Sequence, residues 1–212
     1  MANFNSKANK LLDILLFPKE FYGRLTGSKK SLIPGIIFVG LMDIGLGLYN
    51  NYKILFINRT ERDLIINIIL SIAFIIGMGI IDIFFFSFPL FDLFKHFENG
   101  DNLKADNTLL VKLMKVYVTA HLALLPLELI VFFVYNSMEN NINILLMNFI
   151  FLLVLIIPIW FASAIFRGVN VLYNFNPVYR GITFAAIFIW NYILSIAFEY
   201  MINNWLMRLF II

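Results

Sequence analysis

Leu64 to Phe86 reads LIINIILSIAFIIGMGIIDIFFF, a run of 23 residues that holds one charge, Asp82, and is followed by Ser87, Phe88 and Pro89. Wound as a helix at about 1.5 Å per residue it rises about 34 Å, enough to cross a hydrocarbon core of about 30 Å with some tilt. The reading is a transmembrane helix closed at Pro89. Four further runs of this kind lie at about 32–49, 113–135, 142–166 and 182–202. The expected fold is therefore an all-α polytopic membrane protein: an N-terminal segment, 1–30, followed by a single five-span domain, 31–212.

Composition agrees. Of the 212 residues, 61% are hydrophobic and only 14% charged, with a mean hydropathy of +0.87, whereas a soluble domain is about 45–50% apolar and about 25% charged. The net charge of +3 resides in the connections between runs, which describes loops at a membrane surface and not a nucleic-acid groove. The absence of cysteine excludes disulfides, thiolate metal sites and cysteine nucleophiles. Heavy use of Ile, Asn, Phe and Lys is the composition of an AT-rich bacterial genome.

Ahead of the first run, LLDILLFP places Leu11, Leu12, Leu15 and Leu16 at helical spacing beside Lys7, Lys10 and Asp13. Eight residues do not span a bilayer, and Pro18, Lys19 and Glu20 follow where a signal peptide would have its small-residue cleavage site. The stretch reads as a short amphipathic helix ended by Pro18, with Phe21 and Tyr22 at headgroup level, or else as a helix packed on the end of the bundle. The ten residues after the fifth run are too few for a sixth span. Lys and Arg set the orientation. With five spans, twelve fall on the side of the N-terminal segment, among them Lys95, Lys104, Lys112, Lys115, Arg167 and Arg180, and four on the other: Lys53, Arg59, Arg62 and Arg208. Basic loops stay cytoplasmic, so the N-terminus is expected inside the cell membrane and the C-terminus outside.

Inside the spans, Gly40, Asp43 and Gly47 share one helix face, and Met78 and Asp82 share another with Gly79 beside them. Gly40, Gly47 and Gly79 read as places of close helix packing. The third span carries Tyr117, His121, Leu124 and Glu128 as one stripe and holds Pro126, a site for a kink. Ionisable groups within spans face the bundle interior and mark candidate sites, so Asp43, Asp82, Tyr117, His121 and Glu128 form the candidate polar cluster. Measured from the middle of each predicted span, Asp43 sits about 3 Å to the outside, Asp82 about 10 Å inside, His121 about 6 Å inside and Glu128 about 5 Å outside. On that estimate Asp82 is level with His121 and Asp43 with Glu128, while the two aspartates, about 13 Å apart, do not meet.

No catalytic signature is present. His-Glu-x-x-His, Gly-x-Ser-x-Gly and the phosphate-binding Gly-x-x-x-x-Gly-Lys-Ser/Thr are missing, and the two histidines, His96 and His121, do not make a histidine-rich metal site. No enzyme, cofactor or metal is expected. The segment LLDILLFPKEFY before the first span, the five-span layout and the Arg167–Gly168 step after the fourth resemble the bacterial branch of the Yip-domain family, relatives of the Ypt- and Rab-interacting membrane proteins. The resemblance implies a five-span protein with a scaffolding or transport-related role. Two readings follow: a scaffolding or partner-binding component in which the polar residues join helices, or a proton- or ion-coupled small transporter or channel that uses the intramembrane carboxylates and His. The expected partners are the lipid bilayer and other membrane proteins or a transporter complex, without nucleic acid.

Overall fold

The computed structural model describes residues 13–97, 107–137 and 144–206. Among them every regular element is helical, and five helices are long and apolar enough to cross a membrane. After a turn of helix at 13–16 come α1 (Lys19–Gly23), α2 (Ile33–Asn50), α3 (Tyr52–Phe56), α4 (Glu61–Lys95), α5 (Asn107–Ser137), α6 (Ile144–Tyr173) and α7 (Arg180–Met201). Helix α2 packs mainly on α4, α5 on α6, and α6 on α7, while α4 also touches α5 and α7. The start of the fourth run, at 142–143, and Leu11 and Leu12 of LLDILLFP lie outside the described residues, as does the Asn99-Gly100-Asp101 stretch, whose residue types are a turn signal.

The deciding run is part of a longer helix than its sequence suggests. Thr60 opens α4 by accepting from the Asp63 amide, and Glu61 and Asp63 place negative charge in the first turn, where the helix dipole favours it. The expected stop at Pro89 is corrected: α4 continues through it to Lys95. Proline lacks the N–H that would bond the carbonyl four residues back, here that of Phe85. The indole Nε1 of Trp190, on α7, donates to that carbonyl at 3.1 Å. A neighbouring helix thus supplies the missing donor, and the chain has no need to turn.

The core lies towards the end of the bundle that carries the N-terminal segment, where Phe86, Phe94, Leu113, Ile165 and Tyr173 are buried together. A smaller cluster of Ile44, Leu55, Met78 and Ile202 fills the other end. Tyr22, expected as an anchor at headgroup level, is packed inside the protein and not exposed on its surface. It is fully buried, its ring over Gly168 of α6 where a methyl group would strike it, and its hydroxyl donates to the Leu16 carbonyl at 2.9 Å. An aromatic ring fits there because the facing residue has no side chain. The segment is therefore packed on the bundle end, and two more contacts pin it: Arg167 pairs with Asp13, and Lys115 donates to the Thr26 carbonyl and hydroxyl. Lys112, Lys115 and Arg167 consequently lie within helices and not in connections, with Lys115 buried.

Candidate functional site

Helices α2 and α4 touch backbone to backbone. A methyl group added at Gly40 would collide with the Ile75 carbonyl, and one added at Gly79 with the Ile36 carbonyl, so only glycine permits this approach. Each glycine is followed three residues later by an aspartate, in Gly40-Leu-Met-Asp43-Ile44 and Gly79-Ile-Ile-Asp82-Ile83. Gly47 is partly buried nearer the end of α2, where its carbonyl accepts from the Asn51 side chain at 2.9 Å.

Asp82 is 1% exposed. The Tyr117 hydroxyl, from α5, donates to it and stands 2.9 Å from each carboxylate oxygen. One turn on, the Nδ1 of His121 lies 3.1 Å from the Tyr117 carbonyl. A carbonyl only accepts, so Nδ1 carries the proton, and in the neutral ring Nε2 presents a lone pair. That Nε2 faces Asp82 Oδ2 at 3.8 Å, beyond hydrogen-bonding distance. Asp43 closes the group from α2: one donor atom from each of Asp43, Asp82 and His121 lies within 4.8 Å of the other two. Its Oδ2 is buried and accepts no hydrogen bond. Glu128, two turns beyond His121 and partly buried, is within electrostatic reach of Asp43.

Aromatic rings wall the cluster. Phe86 stacks on Tyr117 with ring centres 3.9 Å apart, and Phe161 of α6 meets the edge of His121 at 4.7 Å. These walls lower the local dielectric and strengthen every electrostatic interaction among the polar groups. Neither phenylalanine stood out in the sequence, where both sit within continuous apolar runs.

The structure corrects the separation of the aspartates. Two causes account for it. Because α4 runs on past Pro89, its middle falls at Met78 and not at Ile75, which moves Asp82 to about 6 Å from the middle. The remaining offset is closed by the side chains, because Cβ atoms tilt towards their own helix N-terminus. On antiparallel helices that tilt aims Asp43 and Asp82 back across the glycine crossing at each other. The repeated Gly-x-x-Asp-Ile was the available signal for this meeting.

Four of the five polar candidates, Asp43, Asp82, Tyr117 and His121, therefore make one group, with Glu128 within electrostatic reach of Asp43. Its three donors, two carboxylates and an imidazole on three helices, are the set among the described residues with spacing suited to a metal ion. The chain matches no protein-family model, no curated protein and no solved structure, so function is argued from this geometry.

Proposed function

We propose that the chain is a multi-pass protein of the cell membrane, N-terminus cytoplasmic and C-terminus outside, that acts as an ion-coupled small transporter or channel with its cation site at Asp43, Asp82 and His121. The supporting observation is the convergence of these three groups from α2, α4 and α5 on one point. Ionisable groups cost several kcal/mol inside a bilayer and persist where they pair or line a path. Polar glue between helices needs donors matched to acceptors. Here Tyr117 supplies one hydroxyl to Asp82, while Asp43 Oδ2 has no donor and the His121 lone pair faces a carboxylate. Acceptors in excess of donors suit a site that receives a cation.

The likeness to bacterial Yip-domain proteins rests on the layout of the sequence alone, and the function proposed here is non-enzymatic. Reconstitution in liposomes tests it. Cation flux is expected from the wild-type chain, to fall at least about tenfold in Asp43→Asn, Asp82→Asn and His121→Gln, each of which removes more than about 1.4 kcal/mol of cation stabilisation, and to be unchanged in Glu61→Gln. Flux that is absent, or indifferent to all three substitutions, overturns the reading and returns the cluster to helix packing.

A further inference from the structure

Resting on that reading, we infer that the Asp43–Asp82–His121 cluster is a binding site for a divalent first-row transition-metal ion of the Mn2+ or Zn2+ kind. Donor chemistry, charge and orientation carry the inference. A set of one imidazole nitrogen and two carboxylate oxygens suits such ions, whereas Mg2+ and Ca2+ favour all-oxygen shells and Cu(I) favours sulfur. The neutral imidazole and two carboxylates together balance two positive charges, which matters between the Phe86 and Phe161 rings, where an unbalanced charge is costly.

Orientation is the independent observation. His121 is 6% exposed, and its bond to the Tyr117 carbonyl fixes the tautomer so that the Nε2 lone pair points at the carboxylates. Metal-ligating histidines are held in this way, by a carbonyl or carboxylate on the far nitrogen. A lone pair facing a carboxylate oxygen at 3.8 Å is repulsive unless a proton or a metal cation is shared between them. The same residue serves both ligands, since the Tyr117 hydroxyl holds Asp82. The Asp43 carboxylate supplies the third donor, and its Oδ2 is buried without a hydrogen-bond partner. Donor separations of up to 4.8 Å exceed the roughly 3.4 Å edge of a tetrahedral zinc shell, so binding draws the carboxylates inward by about an ångström. No hydrogen bond at Asp43 Oδ2 opposes that movement.

The test uses the purified full chain in detergent, stripped with a chelator and titrated with Mn2+ followed by electron paramagnetic resonance, and with Zn2+ by competition. One ion per chain is expected, bound more tightly than Ca2+. Affinity is expected to fall about 10- to 100-fold or more in Asp43→Asn, Asp82→Asn, His121→Gln and Tyr117→Phe and to be unchanged in His96→Gln. Because the chain has two histidines, His96→Gln leaves one imidazole, and Zn2+ should shift its Nε2 nitrogen resonance with all three ligands native. If the ligand variants fail to fold, that titration decides alone. No saturable binding by wild type up to about 1 mM, or an unshifted His121 resonance, overturns the metal assignment. Loss of metal binding alongside flux that still requires both aspartates leaves the transport reading standing without it. Metal binding without flux upholds the assignment and overturns transport.

Discussion

The contact between α2 and α4 makes opposite demands on two glycines only two residues apart. At Gly79 an added methyl group meets the Ile36 carbonyl and the Gly40 amide, both backbone, whereas at Gly77 it meets nothing within 4 Å. Alanine at Gly77 gains the helix propensity that glycine lacks, about 1 kcal/mol. At Gly79 the same gain is outweighed by overpacking, which costs about 1–3 kcal/mol and here falls at the upper end because a helix backbone must move, for a net loss of about 2 kcal/mol. The two variants should therefore differ by about 3 kcal/mol, or on the order of 6–12 °C in melting temperature for a chain of this size. Thermal unfolding of Gly77→Ala and Gly79→Ala in the same detergent measures this directly. Equal melting temperatures would refute the backbone contact, and a Gly79→Ala protein more stable than wild type would refute it outright.

Three other outcomes are expected. Trp190→Phe should cost about 1–3 kcal/mol by leaving the Phe85 carbonyl without a donor, and in a Pro89→Ala background, where the helix regains its own N–H, the loss should shrink; an equal loss in both backgrounds excludes the indole's role. Burial pushes the Tyr22 pKa up, against the pull of the Arg167 charge. The folded state therefore holds this proton more tightly than the unfolded one, so the stability it confers is complete below about pH 10 and is lost as pH rises beyond that; Tyr22→Phe should lose less stability above pH 10 than wild type does, and identical alkaline profiles would count against a buried hydroxyl. For orientation, the lack of native cysteine allows single-cysteine labelling in intact cells: Ser28→Cys and Val178→Cys should be shielded from an impermeant reagent and Asn50→Cys should react, whereas labelling at Ser28 inverts the topology.

The helices were legible because a span is a matter of length and apolarity, which a sequence displays residue by residue. Their ends were less so. Pro89 carries a local stop signal, and the donor that overrides it comes from Trp190, some hundred residues away. Tyr22 and Lys115 looked interfacial because an amphipathic tyrosine and a lysine usually are; what buries them is a glycine on another helix and a carbonyl in a loop. The site was legible as a set of residue types, and its pairing of Asp82 with His121 agrees with the 3.8 Å approach. The meeting of Asp43 with Asp82 was missed because the helix was taken to stop at Pro89 and because depth was reckoned at Cα atoms, whereas the chemistry takes place at the ends of side chains that lean.

Gly40 and Gly79 also give the bundle a fulcrum. Each aspartate sits on a lever arm of three residues, about 4.5 Å, measured from a pivot that has no side chains to resist rotation. With α4 held, tilting α2 by about 10° about this pivot carries the Asp43 Cα about 0.8 Å on that arm. Asp43 and Asp82 thus sit within a few ångströms of the place where two long helices pivot on each other, and whatever tilts the far ends of α2 or α4 re-aims one carboxylate relative to the other.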